Sequence, residues 1–183
     1  MRIVLGVTGA SGAIYAVRLA SELKKAENEV TIIVSDAAKL VLASEVEDGL
    51  GRLTECGRVL SEHDLDADVS SGSVKVGAVV ICPCSMKTLA AVANGYAYNL
   101  ICRVADVALK EGRKLVLIVR EMPFSAIHLE NMLKLARLGA VIIPASPGFY
   151  HAPKTMDDLV NHVVGKVLDL LGVEAGLFKR WDG

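Results

Sequence analysis

Aromatic rings are scarce in this sequence: Phe, Trp and Tyr together make up 4% of its 183 residues. So few rings argue against an aromatic-rich β-sandwich and for close-packed helices over buried strands of Ala, Val, Leu and Ile. Long apolar runs are also missing. The greasiest stretches, residues 76–82 and 115–119, are strand-sized and far short of the roughly 18 residues of a spanning helix, so no membrane span is expected. Neither sign of charge dominates. The formal net charge is −1, with Lys and Arg scattered, which argues against a nucleic-acid groove or a polybasic membrane patch and points to a small-molecule partner. The four cysteines, Cys56, Cys82, Cys84 and Cys102, lack the C-x-x-C spacing of a zinc site and the density of a secreted disulfide framework. Most are expected to act as buried small hydrophobes. The opening Met1-Arg2-Ile3-Val4-Leu5-Gly6 has neither the length nor the cleavage region of a signal peptide, so a cytoplasmic location is expected.

What the chain does have is apolar bulk, 52% of its residues, enough for one core. A single domain over residues 1–183 is expected. The surplus apolar surface of a chain without a membrane span implies burial between subunits. Runs rich in β-branched residues recur at residues 3–7, 30–34, 78–82, 115–119 and 140–143, with a weaker one at 58–60. Helical periodicity fills the gaps at residues 13–25, 37–43, 86–94, 101–110, 127–138 and 156–171. The last of these opens on Thr155-Met156-Asp157-Asp158 and stops at Gly172, an N-cap with acids at the positive helix end and a glycine stop. Continuous apolar strands alternating with amphipathic helices predict an α/β fold, a parallel sheet covered on both faces. In such folds ligands bind beyond the carboxyl ends of the strands.

The loops at those ends carry the chemistry. Gly6-Val7-Thr8-Gly9-Ala10-Ser11-Gly12 leads from a strand into a helix, where glycines let an anion approach backbone N–H groups. It lacks the G-x-G-x-x-G dinucleotide fingerprint and the Lys of a P-loop, and a tight turn without a ligand is the ordinary alternative. Ser35-Asp36 closes the second strand: an acid there suits a nicotinamide ribose, and both residues also suit a helix N-cap. Glu45 belongs to a stretch of three carboxylates, Glu45, Glu47 and Asp48, of which a desolvated one would serve as a base. Ser85-Met86-Lys87-Thr88 follows the central strand as a second phosphate- or ring-binding turn, or a second cap. Arg120-Glu121 lies just past the fifth strand, as a surface ion pair or in a cleft. A rigid Pro144-Ala145-Ser146-Pro147-Gly148 segment presents Phe149, Tyr150 and His151, with His151 expected chiefly as a structural hydrogen-bond donor.

Together these segments resemble the UbiX/Pad1 family of flavin prenyltransferases. The resemblance rests on Thr8-Gly9-Ala10-Ser11-Gly12, Ile81-Cys82-Pro83-Cys84-Ser85, Ala105-Asp106-Val107-Ala108-Leu109-Lys110-Glu111 and Arg120-Glu121-Met122-Pro123-Phe124. It continues through His128-Leu129-Glu130-Asn131-Met132, Pro147-Gly148-Phe149-Tyr150-His151-Ala152-Pro153 and the terminal Arg180-Trp181. It implies a three-layer α/β/α, Rossmann-like (flavodoxin-type) parallel sheet with strand order 3-2-1-4-5-6, and binding of FMN as the prenyl acceptor. The family joins the dimethylallyl group of dimethylallyl monophosphate to N5 and C6 of reduced FMN. The product, prenylated FMN, serves UbiD-type decarboxylases, and no metal is implied. Carried over by position, Gly9, Ala10, Ser11, Ser35, Ser85, Met86, Lys87, Thr88 and Arg120 match FMN contacts. Tyr150 and Lys166 match contacts to the prenyl phosphate, with Arg103, Lys110 and Arg120 as further cations. Glu45 and Glu121 match the carboxylates of proton transfer. The resemblance also implies a homo-oligomer, typically a dodecamer, with flavin sites where subunits meet. The chain departs from some relatives at Leu65, where they place a ring, and at Lys166, where Arg also occurs and would add a bidentate fork. An FMN-dependent cysteine-type decarboxylase of the same broader fold, a non-catalytic flavin-binding oligomer and a nicotinamide dehydrogenase are the alternatives.

Overall fold

The structure, a computed structural model, describes residues 1–178, and Arg180-Trp181 lies outside them. Six strands form one parallel sheet: β1 (Arg2–Val7), β2 (Glu29–Val34), β3 (Arg58–Ser61), β4 (Ala78–Cys84), β5 (Lys114–Val119) and β6 (Val141–Pro144). Their order is β3-β2-β1-β4-β5-β6, the 3-2-1-4-5-6 arrangement expected. Strand side chains alternate between two apolar layers, as the two-residue pleat dictates. Ile3, Leu5, Val7, Ala78, Val80 and Cys82 enter one. Val4, Val79 and Ile81 enter the other, joined by Cys84, which lies past an irregularity in β4 that shifts the alternation after Ile81.

Helices α1 (Ala13–Lys25), α2 (Asp36–Glu45), α3 (Gly49–Cys56) and α7 (Met156–Leu171) cover the first layer. Helices α4 (Met86–Ala93), α5 (Leu100–Lys110) and α6 (Ala126–Arg137) cover the second. α1 and α7 begin and end where the periodicity places them, and α7 carries the expected Thr155 cap and left-handed Gly172 stop. α3 is the element the periodicity does not announce. Its start, Gly49-Leu50-Gly51, is poor helix sequence, and packing of Gly49 and Leu53 against its neighbours holds it.

Cys82, Cys84 and Cys102 are buried and Cys56 is half-buried, as small hydrophobes. Burial pushes the thiols of Cys82 and Cys84 up. Burial, with Glu62 nearby, pushes Cys102 up to about 12. One helix stands apart: α6 buries a single residue, Leu135, while Ile127, Leu129 and Leu133 lie exposed on it. Among the described residues no helix is long and apolar enough to cross a membrane.

Gly57 joins α3 to β3 so tightly that a Cβ there would sit 2.2 Å from the backbone oxygen of Val30. Backbone cannot give way as a side-chain tip can, so Gly57→Ala is expected to cost about 1–3 kcal/mol. Thermal unfolding monitored by circular dichroism checks this; an unchanged melting temperature contradicts it.

Candidate functional site

The carboxyl edge of the sheet is tied together by one side chain. The last β1–β4 register pair is Gly6↔Ile81, and beyond it a buried threonine continues the connection. The Thr8 hydroxyl donates to the Pro83 carbonyl at 2.7 Å and accepts from the Ser85 N–H at 2.9 Å. The β1 and β4 loops are thereby fixed to each other. The β2 loop is drawn in by the Ser35 N–H donating to the Val7 carbonyl at 3.1 Å. At Gly9 the approach is closest: a Cβ there would stand 2.4 Å from Cβ of Ala37, so only glycine fits. The β5 and β6 loops join through the Arg120 N–H to the Cys84 carbonyl at 3.4 Å and the Ala145 N–H to the Val119 carbonyl at 2.9 Å.

Gly12 precedes α1 in the left-handed region, φ 101°, and has no side chain to cap the helix. Glu45, at the end of α2, supplies the missing group. Its Oε2 accepts from the N–H groups of Gly12 and Ala13 at 2.8 and 2.9 Å. Partial burial pushes the Glu45 carboxyl up. The Ser11 hydroxyl, the two N–H groups and the Arg120 charge outweigh that and leave it below its ordinary value. Arg120 in turn donates from Nε to the Ser11 carbonyl at 3.2 Å. Ser11, Glu45 and Arg120, far apart in sequence, converge on the start of one helix.

Ser35 and Ser85 cap α2 and α4, accepting from the N–H groups of Ala38 at 3.1 Å and Thr88 at 3.3 Å. Ser85 Oγ also donates to Thr88 Oγ1 at 3.1 Å. The cap reading of both serines therefore holds, and it leaves two helix N-termini facing the same edge. A helix N-terminus attracts anions through its N–H groups and dipole. Ala10, Met86 and Thr88 are buried, whereas Gly9, Ser11 and Lys87 are exposed. The Lys87 ammonium lies 5.6 Å from the Tyr98 ring centroid. Behind Ser35, buried Glu62 accepts from the Asp36 N–H at 2.7 Å and from the Asn99 amide, joining β3 and α5 to the site. Asp36 is held down to about 2 by hydrogen bonds from His63 and Lys39, and His63 is raised in return.

Glu121 is exposed and accepts from its neighbour's N–H, that of Met122, at 3.0 Å. It lines an open cleft of about 340 Å³ between residues 119–124 and 144–146. The remaining cations are spread out. Arg103, in the first turn of α5, donates to the Ser70 carbonyl at 3.1 Å and pairs with Asp106 at 3.2 Å. Lys110 closes α5 at the opposite edge of the sheet, where it meets Glu111 at 3.3 Å beside Gly72. The chain's own fold therefore does not bring Lys110 to the carboxyl edge. Lys166 is exposed in the middle of α7, one turn beyond His162, whose Nε2 lies 3.1 Å from the Tyr150 hydroxyl. His151 corrects the expectation of a structural donor: both its ring nitrogens are buried without a hydrogen-bond partner among the described residues, and its ring stacks on His162. Glu62, Asn99 and His162 are site residues that lie outside every motif, and Thr8 lies inside one without a role that its position announces. Only His162, four residues before Lys166 and thus on its helix face, left a usable signal.

A 3-2-1-4-5-6 parallel sheet whose β1, β2 and β4 loops converge on helix N-termini has the architecture of the α/β proteins that bind nucleotides and flavins beyond their strand ends. The profile of the Flavoprotein family matches residues 1–168. The flavin prenyltransferase UbiX of Methanocaldococcus jannaschii is 51% identical over 99% of this chain and 98% of its own. That of Pseudomonas aeruginosa is 52% identical over 98% and 93%. Among solved structures, a dodecameric FMN-dependent UbiX-like decarboxylase from Escherichia coli O157:H7 superposes with a TM-score of 0.97 at 44% identity, covering all of both chains. AnUbiX (PadA1), in complex with FMN and dimethylallyl pyrophosphate, also reaches 0.97 at 41% identity over 100% and 97%. The chain belongs to the UbiX/Pad1 flavoprotein family, a family of enzymes. FMN-dependent cysteine decarboxylases such as TvaF, at 17% identity and a TM-score of 0.65, share the fold alone.

The low Glu45 carboxyl depends on Ser11 and Arg120, so Ser11→Ala and Arg120→Gln are each expected to raise its titration midpoint in a carboxyl ¹³C NMR titration. A group depressed on folding stabilises above its unfolded pKa and loses that contribution as pH falls through the folded one. Stability of the start of α1 should therefore fall on the acid side, earlier in either variant. A midpoint unmoved by both substitutions contradicts this account.

Proposed function

We propose that this protein transfers the dimethylallyl group of dimethylallyl monophosphate to N5 and C6 of reduced FMN, without a metal ion. The product, prenylated FMN, would pass to a UbiD-type decarboxylase, and the site of action is cytoplasmic. The observation that carries this reading is the convergence of Ser11, Glu45 and Arg120 on the α1 N-terminus beside two serine-capped helix starts. The residues fit FMN on physical grounds. The paired N-termini of α2 and α4, with Ser35, Ser85 and Thr88, suit its phosphate. The glycine at residue 9, pressed against Ala37, keeps side-chain bulk out of the cradle. Ala10, Ser11, Met86, Lys87 and Arg120 line the rest. When bound, reduced FMN supplies the nucleophilic positions that accept the prenyl group.

The protein's own groups have three tasks. Departure of phosphate from an allylic carbon is assisted by donors on the leaving oxygens. Tyr150 and Lys166 take that part, with Arg103, Lys110 and Arg120 as further cations. Glu121, beside the leaving phosphate, carries a proton to it. Glu45, ionised at its helix cap, is in the form that accepts a proton, and takes the one lost on ring closure.

Because Lys110 lies at the far edge of its own sheet, it serves this site from a neighbouring copy. An assembly would also cover the exposed Ile127, Leu129 and Leu133 of α6, and a dodecamer like that of the Escherichia coli relative is the arrangement proposed.

Incubation of the protein with reduced FMN and dimethylallyl monophosphate, or the diphosphate in parallel, should give a flavin heavier by one C5H8 unit in mass spectrometry. An unchanged flavin with both donors overturns the proposal. Glu45→Gln and Glu121→Gln are each expected to slow the reaction by about a hundredfold, the lower end for a general acid or base. Wild-type rates would remove the residue concerned from the scheme. Sedimentation velocity should find a large oligomer, and a monomer contradicts the shared site.

A further inference from the structure

We propose that His162 is a positioning residue that makes Tyr150 a hydrogen-bond donor toward the phosphate of the prenyl donor. This rests on the assignment of Tyr150 and Lys166 to that phosphate, and it adds a residue which none of the motifs contains.

Two contacts and the chemistry of a neutral imidazole fix the direction of the hydrogen bonds. The Gly148 N–H donates to Nδ1 of His162 at 3.2 Å, so Nδ1 is the unprotonated nitrogen. In a neutral imidazole the proton then resides on Nε2. That nitrogen lies 3.1 Å from the Tyr150 hydroxyl oxygen, so Nε2–H donates and the oxygen accepts. A tyrosine hydroxyl that accepts on one side directs its own proton to an acceptor elsewhere. Phosphate oxygens only accept. With the opposite tautomer, Nε2 would take the Tyr150 proton, and the hydroxyl would turn lone pairs toward an anion.

The surroundings hold the ring neutral and in place. The His151 ring stacks parallel on it, centroids 4.9 Å apart and planes within 3°. The Phe178 ring lies 5.0 Å away. Burial, and then the neighbouring His151, push the His162 pKa down. Gly148 is what permits the backbone donor to come so near: a Cβ there would stand 3.1 Å from the Tyr150 ring and 3.2 Å from that of His162. Lys166 projects from the same helix face one turn on, so a point charge and a directed hydroxyl address one anion.

The test separates this role from simple packing. His162→Phe keeps a ring in the stack and removes the donor; His162→Gln returns an amide N–H near the Nε2 position. KM and kcat for dimethylallyl monophosphate are measured at saturating reduced FMN, with FMN affinity recorded by fluorescence as a check on folding. Loss of one hydrogen bond to a charged group predicts a KM raised about tenfold in His162→Phe, with kcat changed much less. His162→Gln should recover most of it, and His162→Phe/Tyr150→Phe should match Tyr150→Phe alone. An unchanged KM, or single effects that add in the double variant, overturns the inference while leaving the transferase reading intact. Absence of heavier flavin from the wild-type protein overturns that reading instead. Independently of activity, ¹⁵N NMR of the imidazole should find the proton on Nε2, and a proton on Nδ1 overturns the inference outright.

Discussion

The carboxyl edge of this sheet depends on a buried hydroxyl. Parallel pairing between β1 and β4 ends at Gly6 and Ile81, and past that point the two loops have no ladder to keep them in register. Thr8 replaces the ladder with one donated and one accepted hydrogen bond. The Ser85 cap, and with it the direction of α4, follows from that contact. The close passage of Gly9 by Ala37 belongs to the β2 side, where the Ser35 N–H donates to the Val7 carbonyl. A buried hydroxyl with both bonds made is stabilising, whereas loss of either partner leaves an unsatisfied polar group. The constraint is therefore strict in a way that an apolar contact would not be.

Electrostatics is then layered on this geometry. Glycine at the N-cap of α1 leaves the helix start without an anionic partner of its own, and Glu45 arrives from another helix to provide one. The same carboxylate meets Ser11 and the field of Arg120. One residue is thus at once a helix cap and the group proposed to take a proton. Its basicity is limited by the contacts that position it, so a bound ligand that draws Ser11 or Arg120 away would raise it.

Much of the fold was legible because burial writes itself into composition. Residues 3–7, 30–34 and 115–119 are apolar on both faces of the pleat, which only a covered parallel sheet requires. α1 and α7 were readable from their periodicity and end signals. α3 was not, because its glycines argue against a helix that tertiary contacts nonetheless hold. At the site, the residues inside glycine-rich or Pro-turned motifs were visible, since each motif is continuous in sequence. The contacts of Glu45 with Gly12, of Glu62 with Asn99 and of Thr8 with Ser85 each join distant segments, and no local pattern encodes them. Lys110 marks the other limit: its motif is clear, but its place at the far edge of the sheet emerges only from the path of α5.

The buried thiols acquire a meaning from the chemistry proposed beside them. Allylic cations and allyl phosphates alkylate soft nucleophiles, and a cysteine thiolate is the softest that a protein commonly offers. Cys84 ends the strand that leads into Ser85, and Cys102 lies behind it, yet burial keeps both in the protonated, unreactive form. Packing of the central strand therefore does more than fill the core. In the proposed reaction, an allylic electrophile at this edge would meet thiols held in their protonated form rather than thiolates.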